Sequence, residues 1–480
     1  MTEPTQSYLY EQVAKDLTAS IQDGIYAVGQ RLPSLREVGK SYTVSLATVI
    51  QAYSILEQEG YIEARPKSGY YVLPWAAVQS DEPQLTQPIL KPTSVSVAHL
   101  AMSLINEARQ KRLIKLGAAI PAADILPLAS LSRTLAGVSR RHWRSLASYE
   151  NANGNEHLRK QLSLLMREAG ARCKADDIII TNGCLESLNL ALRSVAKQGD
   201  TIAIESPTYF GILQVIETLG MRVLEIPTHP HHGIDPEALQ AAVKKQNVSA
   251  CILIPCFSNP LGACMPDENK QRVVNILAQA DIPLIEDDIY GALSYETRRP
   301  KSAKSYDKKG GVIYCSSFSK TVSPGLRIGW ILPGRFIEQV RYKKFLDNIS
   351  TSVHPQIALA EFLERGLYRK NTRQAARIYH RRMEQLKYWV SEYFPQGTRM
   401  TYPKGGFLTW LELPQNVSAL TLHHKAIDKR IAVTPGILFS AQGQYQHHIR
   451  LSCGAVEGEQ ARASLQTLGA LAHQLAKKAR

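Results

Sequence analysis

The sequence predicts two folded parts, an N-terminal winged helix-turn-helix and a larger α/β body built on a mostly parallel sheet covered on both faces. Three observations predict it. Residues 8–72 carry three helical patterns followed by strand, turn and strand. Residues 76–96 hold Pro83, Pro88 and Pro92 among Gln, Ser and Thr with little periodicity, which marks a linker. From about residue 112 onward, short apolar runs alternate with amphipathic segments, the pattern of strands buried on both faces by crossover helices.

In the head, Val13, Leu17 and Ile21 recur at helical spacing. Ser34 followed by Glu37 is a capping box and starts a second helix. A third starts at Ser45, with Val49, Ala52, Tyr53 and Leu56 on one buried face and Gly60 able to end it in a left-handed cap. Tyr61 to Val72 then reads as two short strands around a Pro/Gly turn. In this motif the second helix of the pair enters the major groove of double-stranded DNA, N-terminal residues first. Ser45, Thr48 and Gln51 can hydrogen-bond to bases there, and Leu46 and Ala47 can touch thymine methyls. Arg36, on the preceding helix, can reach a phosphate or guanine, and Arg65, Lys67 and Ser68 at the wing tip suit a phosphate or the minor groove. Lys40 reads as a solvated charge.

The boundaries expected are a head over 1–75, a linker with a lead-in helix (about 97–110) over 76–111, and a body over 112–480 whose smaller subdomain lies mainly over about 345–480. Strands are expected at Asp177–Ile180, Thr201–Ile204, Ala250–Ile254, Ile282–Glu286 and Val312–Cys315.

Composition narrows the classes. The 480 residues are 44 % hydrophobic and 21 % charged, ordinary globular values. No apolar run reaches the roughly 18–20 residues of a membrane span, and the polar start lacks the form of a signal peptide, so a cytoplasmic protein is expected. The seven scattered cysteines form no CxxC pair, and neither a zinc cluster nor a disulfide frame is expected. His229, His231 and His232 lie in a Pro-flanked loop without matched ligands and read as surface. The net charge is +15, yet residues 1–75 hold 6 Lys/Arg against 8 Asp/Glu, so the excess lies outside the head. Arg369, Arg373, Arg377 and Arg381 form one helical stripe, read as a solvated face, with contact to DNA or the linker as the other possibility.

The body carries a constellation suited to pyridoxal 5'-phosphate, which needs a lysine for a Schiff base, a carboxylate on the pyridine nitrogen, a donor to the 3′-oxygen, a stacking ring and a phosphate cradle. The strongest motif runs from Ser316 to Trp330: Lys320 is the lysine, and Ser317, Ser319 and Arg327 surround an anion. Thirty-three residues before Lys320, Asp287 can hold the pyridinium proton, and Tyr290 can reach the 3′-oxygen. Asn259 can donate to the same oxygen. Gly183, Cys184 and Leu185 open a helix whose N–H groups can bind phosphate, and Tyr209 offers the stacking ring. Asp288 reads as a structural neighbour and Cys184 as a small core residue.

The head resembles GntR-type regulators through Gln30 to Arg36, Thr48-Val49, Ala52-Tyr53, Leu56-Glu57 and Gly60, with Leu46 where that family often places Arg, so its base preference does not carry over. The five cofactor segments, in order, resemble fold-type-I aminotransferases of the class I/II branch. That resemblance implies a large and a small subdomain, a role for Tyr149 at the phosphate of the neighbouring subunit, and a site for a substrate α-carboxylate at Arg450, with Asn259 beside it. The combination resembles MocR-type regulators. It implies a homodimeric, DNA-binding transcriptional regulator whose body senses an amino compound or amino acid through external aldimine formation. The alternative is a catalytically active aminotransferase with a DNA-binding appendage, Lys320, Asp287 and Tyr290 being its catalytic groups. The sequence leaves turnover, effector, operator and sign of regulation open.

Overall fold

The computed structural model describes residues 8–65, 68–73, 81–110, 113–455 and 458–478. The linker's first residues and Lys67 therefore lie outside the described residues.

In the head, α1 (Leu9–Gln22), α2 (Leu35–Ser41) and α3 (Leu46–Gln58) precede an antiparallel pair, β1 (Ile62–Arg65) and β2 (Gly69–Val72). The expected caps are in place. Ser34 Oγ accepts from the Glu37 N–H while Glu37 accepts in return from the Ser34 N–H, and Ser45 Oγ accepts from the Thr48 N–H. Gly60 sits at φ +78°, the left-handed region that a residue without Cβ takes freely. Val13, Leu17, Ile21, Val49, Ala52, Tyr53 and Leu56 close one small core.

The linker region is more structured than its composition suggests. β3 (Thr93–Ser94) pairs antiparallel with the edge of the main sheet, and α4 (Ala98–Gln110) comes next. The backbone N–H groups of Val97 and Ala98 both donate to Glu217, each at 2.9 Å, an anion on the positive end of α4. Gln84 N–H donates to Glu412, and Gln442 brackets Ile89 with two hydrogen bonds. These contacts give a Pro-rich stretch its fixed course.

The main sheet contains β4 (Ile179–Thr181), β5 (Thr201–Ser206), β6 (Arg222–His229), β7 (Gly233–Ile234), β8 (Val248–Leu253), β9 (Leu284–Asp287), β10 (Val312–Ser317) and β11 (Gly329–Leu332). Its order is β3-β6-β5-β8-β9-β10-β11-β4, with β7 on β6. The run β6-β5-β8-β9-β10 is parallel, whereas β11 runs against both β10 and β4. Strand β6 and strand β11, the latter inside the Lys320 motif, were not among the expected strands.

The helices of the body are α5 (Leu128–Arg141), α6 (Glu156–Glu168), α7 (Cys184–Val195), α8 (Phe210–Thr218), α9 (Pro236–Lys245), α10 (Asp267–Gln279), α11 (Ile337–Asn348), α12 (Val353–Glu364), α13 (Leu367–Tyr393), α14 (Ala419–Asp428) and α15 (Gly458–Lys478). Side chains alternate across the sheet. Ile202 and Ile204 meet α7 and α8 on one face, and Ala203 meets α9 and α10 on the other. A smaller antiparallel sheet, of β12 (Arg399–Met400), β13 (Leu408–Glu412), β14 (Thr434–Pro435) and β15 (His448–Ser452), packs with α13 and α15.

One expected division shifts. Residues 113–125, placed by sequence at the start of the large part, pack with the smaller sheet: Ile114 bridges to Ile431, Gly117 N–H donates to the Ala432 carbonyl, and Leu116 and Ile125 join the core of α13 and β13. Where head meets body, Glu59 and Tyr61 lie near Glu384 of α13, and burial holds the Glu59 and Glu384 carboxyls above their ordinary range. No helix among the described residues is long and apolar enough to cross a membrane.

Candidate functional site

Parallel strands bring the loops at their carboxyl ends to one edge of a sheet, where α/β proteins bind ligands. Here β5 ends before Tyr209, β8 before Asn259, β9 at Asp287 and β10 before Lys320. β4 points the same way as β10, because two reversals separate them, so Gly183 arrives at the same edge. A cavity of about 340 Å³ opens there, with Tyr209, Asn259, Tyr290, Lys320 and Arg450 in its walls.

Lys320 Nζ donates to the Ala119 carbonyl at 2.5 Å, and burial, with Arg450 nearby, lowers its pKa to about 8. Asp287 is 2 % exposed; burial raises its carboxyl to about 7, while the Cys184 thiol donates to its Oδ1 at 3.4 Å. The buried Tyr290 hydroxyl lies beside Asn259 and makes no hydrogen bond of good geometry among the described residues. Asp288 is engaged elsewhere, by Arg299 at 2.5 Å and the Tyr314 hydroxyl at 2.8 Å.

The residues expected to cradle a phosphate lie together. Gly183 is the N-cap of α7 at φ +93°, without a side chain to cap the first N–H groups. A Cβ there would stand 2.3 Å from Arg327 Nη2, so only glycine admits the guanidinium. Arg327 donates to the Asn182 carbonyl at 2.8 Å and to Ser319 Oγ at 3.3 Å, and Ser317 Oγ accepts from the Ser319 N–H. Arg327 itself takes φ +53°, a conformation uncommon for a non-glycine and often kept for a functional reason. Leu185 and Arg327 are exposed, so the cradle is open on its outer side. Tyr149 is 80 % exposed and does not line the cavity of its own chain.

The residues fit pyridoxal phosphate: a buried tyrosine hydroxyl with no well-formed hydrogen bond among the described residues, a buried carboxyl able to hold a ring nitrogen, and a cradle that a Cβ would fill. Bound there, the group would act as an electron sink for an attached amine. Lys320 would attach it, Asp287, Tyr290, Asn259 and Tyr209 would orient its ring, and Gly183 to Leu185, Ser317, Ser319 and Arg327 would hold its phosphate.

Arg450 is 2 % exposed, and burial lowers its pKa to about 10. Its nitrogens donate to Gly117 O at 3.1 and 2.8 Å, to Asn259 Oδ1 at 2.9 Å and to Thr434 Oγ1 at 3.4 Å, and its guanidinium lies over Phe210 and Phe439. Among the described residues it forms no ion pair. Gly117, Thr434 and Phe439 were missed from sequence, since no motif marks residues that matter by surrounding one arginine.

In the head, Ser45, Leu46, Ala47 and Gln51 are exposed at the start of α3. The Ser45 and Thr48 hydroxyls bond each other at 2.8 Å. Ile50, 48 % exposed, lies on the same helix and was not singled out. Arg36 is exposed; Arg65 pairs with Glu63 at 2.7 Å and lies 4.3 Å over the Tyr71 ring, whose hydroxyl bonds Ser68. Among the α13 arginines, Arg369 pairs with Glu168, and Arg373, Arg377 and Arg381 are exposed. His231 pairs with Glu82 at 2.6 Å, and no metal-holding cluster is found among the described residues.

Residues 114–468 match the family described as Aminotransferase class I and II, and residues 9–72 match Bacterial regulatory proteins, gntR family. The chain is 36 % identical over 460 residues to the uncharacterized HTH-type transcriptional regulator YjiR of Escherichia coli, covering 96 % of this chain and 98 % of that one. A second Escherichia coli relative, the uncharacterized HTH-type transcriptional regulator YdcR, is 34 % identical over 96 % of this chain and 98 % of its own. Among solved structures, the α-aminoadipate aminotransferase LysN of Thermus thermophilus, complexed with N-(5'-phosphopyridoxyl)-L-leucine, superposes with TM-score 0.72 and 26 % identity over 78 % of this chain and 95 % of that one.

Proposed function

Because this chain belongs to the aminotransferase class I and II family and carries a gntR-family head, the MocR-type arrangement, we propose that it is a DNA-binding transcriptional regulator whose body holds pyridoxal phosphate on Lys320 and senses an α-amino acid. The observation that carries the sensing is Arg450: a cation buried in the cavity wall with Lys320, its hydrogen bonds going to neutral oxygens. A buried guanidinium is stabilised by a carboxylate on its fork, and the effector would supply it.

A second copy of the chain completes the site. Trp143, Leu146, Tyr149, Tyr342, Phe345 and Leu346 are each at least half exposed; they lie on or just after the 3-10 turn 143–147 and on α11, whose Lys344 pairs with Glu186 in the first turn of α7. Exposed apolar groups gathered this way suit a protein–protein contact, and Tyr149 of the second copy would then close the cradle.

The test uses full-length protein. Borohydride reduction of the loaded protein should fix the cofactor on Lys320 alone. Binding to a DNA fragment from its own promoter region should fall on Arg36→Ala, by about 1–3 kcal/mol for a base contact or with a salt slope smaller by about 1 for a phosphate. A protein that takes up no cofactor, or binds DNA equally after Arg36 and Gln51 are both replaced by Ala, would overturn this reading. The working-aminotransferase reading is favoured by the place of Lys320 in the cavity wall beside Tyr290, where burial lowers its amine toward the range in which it can move protons. Steady-state turnover with paired amino and keto acids decides it.

A further inference from the structure

The cavity has a wall that the aminotransferase motifs do not supply. Ala101, Leu104 and Ile105 of α4 line it, facing Phe210, Val433 and Leu438. Ala101 and Leu104 are buried, and with Phe210, Leu261, Trp410, Leu438 and Phe439 they form a small apolar cluster apart from the two clusters that flank the main sheet. These side chains lie in the same cavity as Lys320 and Arg450, and on α4 they recur at one helical face, positions 101, 104 and 105.

Resting on the proposed amino-acid sensing, we propose that α4, the helix through which the linker enters the body, forms the side-chain subsite and that the effector is an α-amino acid with an uncharged, apolar side chain. The polar groups of the cavity are already allotted. Lys320, Asn259, Tyr209 and Tyr290 face the cofactor, and Arg450 the α-carboxylate. His423 Nδ1 is engaged with the Val433 carbonyl at 2.7 Å. Lys115 also reaches the lining, but it is an exposed charge at the mouth, where water screens it. A second effector carboxylate, or an effector ammonium, would lose its water against Leu104, Ile105 and Leu438, which offer it no charge in return. An aliphatic or aromatic side chain would instead bury its surface there.

The position of α4 makes this subsite part of the tether. Its N-terminus is held by Glu217 on α8, the helix that Phe210 starts, and β3 lies three residues upstream. One segment therefore touches the effector's side chain and continues toward the head.

The test needs no turnover. Apo full-length protein is titrated, by tryptophan fluorescence, with reduced N-(5'-phosphopyridoxyl) adducts of leucine, phenylalanine, glutamate and lysine, and of isoamylamine, the decarboxylated leucine. The leucine or phenylalanine adduct should bind at least about tenfold tighter than those of glutamate and lysine, one factor of ten being about 1.4 kcal/mol. Leu104→Arg should bring the glutamate adduct level with leucine or ahead of it, and the half-buried Ile105→Arg should move the ranking the same way with less disturbance of the helix. Unchanged affinity for pyridoxal phosphate itself reports that the body is still folded. A wild type that prefers the glutamate or lysine adduct, or a ranking that neither arginine variant moves, overturns the inference while leaving amino-acid sensing intact. Equal binding of the leucine and isoamylamine adducts instead refutes carboxylate reading by Arg450, and absence of binding by every adduct refutes both.

Discussion

Arg450 Nη1 donates to Asn259 Oδ1 at 2.9 Å, so the residue expected at the effector's carboxylate and the residue expected at the cofactor's ring oxygen share one hydrogen bond. That bond orients the Asn259 amide, leaving its NH₂ group to act as a donor. It also ties the two halves of the body, since Arg450 lies on β15 and Asn259 comes after β8.

Arg450→Ala should therefore lower affinity for an amino-acid effector by about 2–4 kcal/mol, the scale of a lost bidentate charge-assisted pair. The melting temperature should fall only by what the hydrogen bonds lost at Gly117 O and Asn259 Oδ1 are worth, because the substitution leaves no protein carboxylate unpaired. Ligand titration and thermal melting of the same samples check both. A large fall in melting temperature with unchanged affinity would make Arg450 a structural cation.

Gly183→Ala should weaken pyridoxal phosphate binding by about 1–3 kcal/mol, through strain at φ +93° and displacement of the Arg327 guanidinium. Equilibrium dialysis of cofactor against the variant measures it. Retention equal to wild type would mean that Arg327 is not part of the cradle.

Loading of the cofactor should depend on pH through Lys320. Its folded-state pKa is lowered to about 8, so the neutral amine that attacks the aldehyde predominates above that pH. The loading rate should climb about tenfold per pH unit below it and level off above, where an ordinary lysine would keep climbing toward about 10.4. Asp287 holds the Lys320 value up by its charge, so Asp287→Asn should move the plateau to lower pH. Stopped-flow absorbance across the range reads both, and a rate still rising at about pH 10, as for that ordinary lysine, would contradict the assignment.

Leu56→Ala should unfold the head without emptying the body. Leu56 is fully buried in a core of about a dozen side chains, and its truncation should cost about 2–5 kcal/mol, a large share of what so small a domain has. DNA binding should be lost while cofactor binding persists; loss of both would show that the head is needed to fold the body.

The sequence made legible whatever is local. Ser34 with Glu37, and Ser45 with Thr48, are contacts three residues apart, and their hydrogen bonds come from residue type and spacing. The Lys320 segment was legible for a related reason: Ser317, Ser319, Lys320 and Arg327 lie on one strand end and its turn. Distant packing decided the features that stayed hidden. Thr93–Ser94 has neither the length nor the alternation of a strand, and becomes one because the edge of β6 is there to pair with. α4 was expected as a helix, but nothing in its apolar stripe says whether that stripe faces a core or a cavity; Phe210, Val433 and Leu438 decide that from more than 100 residues away in sequence. Leu116 and Ile125 joined the smaller half for the same reason, since an apolar pattern names a buried face without naming its partner.

The pairing of β3 with β6 also bears on how the protein can be handled. A bare outer strand offers unpaired N–H and C=O groups to any other chain in solution. Thr93 and Ser94 cover that rim of β6 at Val223 and Arg222. The tether to the head thus doubles as a guard against aggregation. A body expressed from α4 onward would lose that guard, so truncations made to isolate it should begin upstream of Thr93 if they are to stay monodisperse.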